Sequence, residues 1–297
     1  MIYRLQYWIV MIFRFILLLF PQKLRFKFAE FLGWLGYVAI KKRRETTLMN
    51  LKLAFPNKSE KEREEIALES YKIMLKAFLC SLWFKEYFKN KENVKTVNKE
   101  AFEKAYAKGK GVIVALMHMG NMEASVKAVD GYSLVTVAKK QRNPYIDEFI
   151  TESRERDLNL TLLKKSKGTS KELIKRLNNQ SIIALFSDHR DKGAVVDFFG
   201  ESAKAPTGAV SLALKFDIPL LLVYNTFNED NSCTVHVLDE IELVKTDSFK
   251  DDVINNTQNL IHKMEDVIRE YPEQWMWFHD RWNLYSKYSK LKKNKWF

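Results

Sequence analysis

The sequence predicts an α/β fold, with a mainly parallel central sheet flanked by helices and an N-terminal membrane-attached helical region before it. Three observations carry that expectation. Short apolar runs of strand length (GVIVALM, YSLVTVA, LTLL, SIIALFS and IPLLLVYN) recur between residues 111 and 225. Amphipathic stretches separate them, the pattern of βαβ units. Before residue 45 the texture differs, with two aromatic-rich apolar segments standing between clusters of lysine and arginine.

Composition narrows the classes. A chain of 297 residues with 46% hydrophobic and 13% aromatic residues can bury a large core and is not disordered as a whole. Its 10 glycines and 6 prolines leave little material for long linkers. A net charge of +12 points to an anionic partner. No recognisable nucleic-acid module is present, and aromatic residues crowd among the N-terminal basic ones, so lipid is expected rather than nucleic acid. Cys80 and Cys233 are too few and too far apart for a disulfide framework or a zinc site, and no metal is expected.

Taken in order, MIYRLQYWIVMIFRFILLLF ends at Pro21 without a small-residue cleavage site. Arg14 lies inside its apolar run, and a central arginine costs a spanning helix about 3 kcal/mol. Whether Leu5 to Phe20 crosses or lies in the bilayer stays open at this point. A second segment, FKFAEFLGWLGYVAI, closes on the run Lys41 to Arg44. Residues 1–45 therefore read as the membrane-attached region and 46–297 as a catalytic domain. Ser59 and the acidic residues after it suit a helix start, and Ile66, Tyr71, Met74, Leu75, Phe78, Leu79 and Leu82 continue at helical spacing to about residue 88. Further helices are expected around 121–130, 144–157, 169–178, 206–216 and 248–270, with a last strand over 233–243. The tail SKYSKLKKNKWF reads as a solvated end.

The chemistry is expected after the first strand. In open α/β sheets, sites form beyond the carboxyl ends of strands, which is where GVIVALM delivers His118. Gly120 permits a tight turn, Asn121 suits an N-cap, and Glu123 then falls in the first helical turn. A carboxylate beside an imidazole fixes its tautomer and frees the other nitrogen to take a proton. His118 is thus the expected general base and Glu123 the group that orients it. The chain has no Gly-x-Ser-x-Gly elbow and no phosphate-cradling Gly-x4-Gly-Lys-Ser/Thr loop, so direct attack by a substrate hydroxyl is the economical mechanism.

HMGNME resembles the His-x4-Asp/Glu motif of glycerolipid-type acyltransferases, and its His-x-Gly-Asn-x-Glu form is similar to the late acyltransferases of bacterial lipid A biosynthesis, the lauroyl/myristoyl transferase family. RRETTLMNLKLAFPNKSEKE, NPYIDEFITESRER, FSDHRDKG, VDFFGESAKAPTG and YPEQWMWFHDRWN follow that family's motifs in order over nearly the whole chain. Two positions depart: Ala138-Lys139-Lys140 stands for Tyr-Arg-Pro, and Met122 for the tryptophan before the motif glutamate. The resemblance implies a glycerolipid-acyltransferase-like fold and acyl transfer from acyl carrier protein to a hydroxyl of a lipid A precursor. It implies no cofactor beyond the donor thioester, and a place at the cytoplasmic face of the bacterial inner membrane. It also implies Asn121, Lys139, Arg154, Asp188 and Arg281 as substrate-binding candidates. Asp188 ends SIIALFS, a second strand, so the fold argument puts it on the same edge as His118. A glycerophosphate or lysophosphatidate acyltransferase is the alternative, disfavoured by the Phe-Phe-Gly and Pro-Glu-Gln segments.

Overall fold

The computed structural model of the protein describes residues 1–286, so the basic tail lies outside the described residues except for Ser286. Four helices open the chain: α1 (Ile2–Leu18), α2 (Gln22–Ala39), α3 (Lys41–Ala54) and α4 (Glu60–Cys80). Pro21, extended at φ −64° and ψ 150°, occupies the N-cap of α2 and separates it from α1. Ser59 starts α4 with a full capping box: its hydroxyl accepts from the Glu62 N–H at 3.2 Å, and the Glu62 carboxylate accepts from the Ser59 N–H at 2.7 Å. The helix expected to reach about residue 88 ends at Cys80 and resumes as the single turn α5 (Phe84–Tyr87).

Strands and helices then alternate as β1 (Val94–Val97), α6 (Lys99–Tyr106), β2 (Val112–Leu116), β3 (Leu134–Ala138), α7 (Pro144–Leu158), β4 (Leu160–Lys164), α8 (Thr169–Leu177) and β5 (Ile182–Phe186). A hairpin of β6 (Ala194–Phe198) and β7 (Glu201–Ala205) leads to α9 (Gly208–Phe216), β8 (Leu220–Phe227), β9 (Cys233–Val237) and α10 (Phe249–Glu270). The seven-stranded sheet has the order β1-β9-β8-β2-β5-β3-β4. It is parallel except where β9 returns antiparallel to β8. The α/β expectation holds. Within it, β1, α6 and the hairpin are additions, and the strand expected over 233–243 stops at Val237.

The sheet divides the core in two, because alternate residues of a strand face opposite sides. Ile113, Ala115, Val135, Ile183 and Leu222 pack with α9 and α10 on one face. Val114, Leu116, Leu134, Leu162, Ala184 and Val223 face the other, with Leu17 of α1 and Phe26 of α2. No helix among the described residues is long and apolar enough to cross a membrane. Helix α1 is instead tied along the domain: the Asn143 side-chain amide donates to the Tyr3 carbonyl at 2.9 Å, and the Arg4 Nε to the Tyr145 hydroxyl at 3.0 Å.

Candidate active site

Strand register builds the site. In the parallel pair β2–β5, Leu116 lies opposite Phe186, so two residues further on His118 and Asp188 leave the sheet side by side. Connections after β2 run to β3 on one side, while β8 flanks it on the other, which opens the crevice where α/β sheets hold their ligands. One carboxylate takes both N–H groups that His118 offers it. Asp188 Oδ2 accepts from the backbone N–H at 2.7 Å, and Oδ1 meets the ring Nδ1 at 2.8 Å. The Trp275 indole N–H completes the set, donating to Oδ2 at 2.8 Å.

Burial would push the Asp188 carboxyl up, but the charge and hydrogen bonds of His118, with the Trp275 indole, outweigh it and hold the group well below the usual carboxylate range. Asp188 is therefore an acceptor at both oxygens. It fixes the proton on Nδ1 and leaves Nε2 lone-paired. Access is uneven in the useful sense: the Asp188 side chain is 2% exposed, whereas that of His118 is 22% exposed. Phe186 stacks on the imidazole with centroids 4.2 Å apart.

The C-terminal segment clamps this arrangement. Met119 and Trp275 form an antiparallel bridge, Met276 N–H donates to the His118 carbonyl at 3.1 Å, and Gly120 N–H to the Gln274 carbonyl at 3.0 Å. Gly120 has φ +51°, and a Cβ there would stand 2.4 Å from the Asn225 carbonyl oxygen, so only glycine turns the chain here. Asn50 of α3 holds the segment from below, donating to the carbonyls of Trp277 and His279 at 2.8 and 2.7 Å.

Two expectations are corrected. The sequence reading gives Glu123 the task of orienting His118; in the structure Asp188 performs it, and Glu123 turns instead to Arg154 of α7 in a close ion pair. The cause is the turn after Gly120. Residues 122–129 form a 3₁₀ stretch rather than the expected α-helix, and Asn121 makes no side-chain cap. Asn121 is buried, its amide 3.8 Å from the Cys80 sulfur. Asp188, expected among the substrate ligands, is the hydrogen-bond partner of His118.

Glu123 and Arg154 are among the residues that line an apolar cavity of about 90 Å³. Leu116, Leu134, Leu162 and Ala184 on the second face of the sheet form its wall. Phe186 lines it too, so the ring stacked on His118 is also part of the cavity. An imidazole stacked on a ring that lines an apolar cavity is an arrangement suited to a substrate with a hydrocarbon chain.

Comparison with known proteins accords with this geometry. The family "Bacterial lipid A biosynthesis acyltransferase" matches residues 1–284. The chain belongs to that family. Among curated relatives, a lipid A biosynthesis acyltransferase of Haemophilus influenzae is 23% identical over 92% of this chain and 86% of its own length. A phosphatidylinositol mannoside acyltransferase of Mycolicibacterium smegmatis is 30% identical over 59% of this chain and 57% of its own. One of Mycobacterium tuberculosis is 28% identical over 60% and 56%.

The remaining candidates of this acyltransferase fall in different places. Lys139 is exposed just beyond β3, on the same sheet edge as His118. Arg281, expected at the anionic headgroup, is 2% exposed: its Nη1 donates to the Lys204 carbonyl at 2.7 Å, and its guanidinium covers the Phe198 ring. Burial lowers its pKa to about 10. It anchors the C-terminal segment to the β6–β7 hairpin. Arg154 is 28% exposed, and its Nε and Nη1 have no partner among the described residues. Arg154→Lys is expected to leave the melting temperature close to the parent and to lower acyl transfer about tenfold, roughly 1.4 kcal/mol, because lysine keeps the charge without the planar fork. A melting curve and an initial rate on one preparation check this; parent-like turnover would remove Arg154 from the site.

Proposed function

We propose that the protein transfers a fatty acyl chain from an acyl carrier protein thioester to a hydroxyl of a lipid A precursor, at the cytoplasmic face of the bacterial inner membrane, with His118 as general base. The observation that carries this reading is the His118–Asp188 contact, with Phe186 standing between the imidazole and the apolar cavity. The acceptor hydroxyl gives its proton to Nε2 as its oxygen attacks the thioester carbon. Asp188 balances the imidazolium that forms. The free N–H groups of Arg154, held in place through Glu123, face the developing oxyanion. Collapse breaks the C–S bond, and the imidazolium returns its proton to the departing thiolate, leaving an ester and a thiol. The acyl chain occupies the cavity during these steps.

Charge supports both partners: an acidic carrier and a phosphorylated glycolipid are drawn to a chain of net charge +12. The phosphatidylinositol mannoside acyltransferases among the relatives support the same chemistry on another phosphoglycolipid. A glycerophosphate or lysophosphatidate acceptor is less favoured, since Gln274 of the Pro-Glu-Gln segment, foreign to that reading, holds the Gly120 turn and the next residue, Trp275, holds Asp188. The direct test supplies acyl carrier protein thioester and lipid A precursor to the purified protein and weighs the product. Gain of one acyl chain by the glycolipid is expected; transfer only to a glycerophosphate would reverse the assignment.

Membrane attachment rests on two outward apolar stripes. Leu5, Trp8, Ile12, Phe15 and Leu19 of the α1 segment are exposed, as are Leu24, Phe28, Phe31, Leu35 and Val38 of α2. Spacings of three and four put each set on one helix face. Because Leu17 of α1 and Phe26 of α2 pack into the domain, and α1 is tied to Asn143 and Tyr145, the outward stripes lie along the membrane plane. Phe15→Glu with Phe28→Glu is expected to move most of the protein from the membrane to the soluble fraction, whereas 1 M salt leaves the parent attached, because the apolar contact survives screening at a Debye length of about 3 Å. Complete extraction of the parent by salt would make the attachment electrostatic.

A further inference from the structure

Arg14 interrupts the apolar run of α1, and the structure gives it a position that the lipid-facing stripe does not use. Its Nε donates to the Leu82 carbonyl at 2.8 Å, which directs the guanidinium inward, away from Ile12, Phe15 and Leu19. Neither Nη nitrogen has a hydrogen-bond partner among the described residues. Arg14 lines a groove between α1, the turn after α4, and α7, together with Lys85, Lys89, Ser81, Leu18 and Phe149.

The charge in this groove is unbalanced. Its two acids are already engaged: Glu86 by Arg25 at 2.7 Å and Asp157 by Arg156 at 2.9 Å. Lys85 and Lys89 are exposed and have no ion-pair partner among the described residues. Three cations thus line the groove without an ion-pair partner among the described residues, together with Leu18 and Phe149. A helix lying in the membrane plane sits about 5–10 Å into the boundary between headgroups and acyl chains, so a groove along its flank lies at the depth of the phosphates.

We propose that this groove binds the phosphate of an anionic phospholipid of the membrane on which α1 rests, with Arg14, Lys85 and Lys89 as its cations. The proposal builds on the in-plane reading of α1 and α2 and adds a headgroup preference to it. The occupant is a membrane phospholipid rather than the acyl acceptor because the groove adjoins the lipid-facing stripe. Helix α7 gives Phe149, Ser153 and Asp157 to the groove and Arg154 to the cavity beside His118, so it stands between the two. A guanidinium supplies fork geometry for phosphate, and the lysines supply mobile point charges.

Flotation of the full chain with vesicles at 150 mM salt tests it, comparing pure phosphatidylcholine with phosphatidylcholine carrying 30% phosphatidylglycerol. The parent is expected to bind both, and the anionic vesicles about 25-fold more tightly, since each of the two lysines near such a surface contributes roughly a fivefold gain. Lys85→Gln with Lys89→Gln should cut that preference to about twofold or less while leaving phosphatidylcholine binding unchanged; both side chains are exposed, so folding is not at stake. Arg14→Gln should act in the same direction. A control pair, Lys215→Gln with Lys263→Gln on α9 and α10, removes equal charge from helices on the other face of the sheet and should behave as the parent. Equal loss in the control pair would reduce the effect to net charge and overturn the groove, as would an unchanged preference in the Lys85/Lys89 variant. Equal loss on both vesicle types would also overturn it. A raised KM for detergent-dispersed acceptor with an unaltered vesicle preference would assign the groove to the acceptor instead. A parent that ignores phosphatidylcholine but still prefers phosphatidylglycerol through Lys85 and Lys89 would uphold the groove and remove the apolar stripes as the anchor.

Discussion

Asp188→Asn is expected to lower acyl transfer by between about 10² and 10⁴, while the protein stays folded. Three N–H groups converge on the two oxygens of this carboxylate: the ring Nδ1 on Oδ1, and the His118 backbone and the Trp275 indole on Oδ2. Asparagine has one acceptor oxygen for them. If its carbonyl serves the backbone and indole, its NH₂ donates to Nδ1, which must lose its proton. The imidazole then carries hydrogen on Nε2, the nitrogen needed as base. If the amide is reversed, its NH₂ confronts two donors, and the negative charge that balances an imidazolium is gone in either case. Trp275→Phe separates positioning from fold. It keeps the ring in the core and removes one of the two hydrogen bonds to Oδ2, so a smaller loss is expected, in kcat more than in KM. Parent-like rates in Asp188→Asn, measured on protein with a cooperative melt, would remove Asp188 from the mechanism.

His118→Ala is expected to cost on the order of 10²–10⁴ in turnover. The substitution leaves Met119 and Gly120 in their backbone contacts with the C-terminal segment, so the turn and the cavity should persist. It also strands the Asp188 carboxylate, which keeps its backbone and indole donors but loses the imidazole; destabilisation of about 1–3 kcal/mol is therefore expected. Binding of the acyl donor should be nearly unchanged, because the cavity wall is apolar and comes from the sheet. Near-parent turnover in the folded variant would sink the general-base mechanism.

Much of the fold was legible because its signals are local. Strands β2, β3, β4, β5 and β8 are short apolar runs, and their order along the chain with helices between them implies parallel pairing. Ser59 and Asn143 announce helix starts through side-chain bonds that span only two or three residues. Strand β1 was not legible because VKTV is a four-residue edge strand with no buried position. The β6–β7 hairpin escaped because the exposed Val195 blurs the alternation of β6 and the buried positions of β7 are small alanines. Motif order alone also marked His118 and Arg154, since chemistry of that kind is written in residue type and spacing.

By itself the sequence determined the α/β class, the strand that delivers His118, the turn at Gly120, and the family to which the motifs belong. Only the tertiary structure decided which carboxylate serves the histidine. Glu123 is near in sequence, yet β2 and β5 are neighbours in the sheet, so a residue 70 positions away fills the place. The same holds for the Trp275 indole, 87 positions from Asp188, and for Arg281, whose charge suggested a ligand but whose position is interior. It holds for the apolar helices α1 and α2 too, where composition records hydrophobicity but not which face the domain leaves uncovered. Spacing along a chain specifies contacts only within a turn or a strand; contacts between elements depend on strand order and packing, which no local pattern encodes.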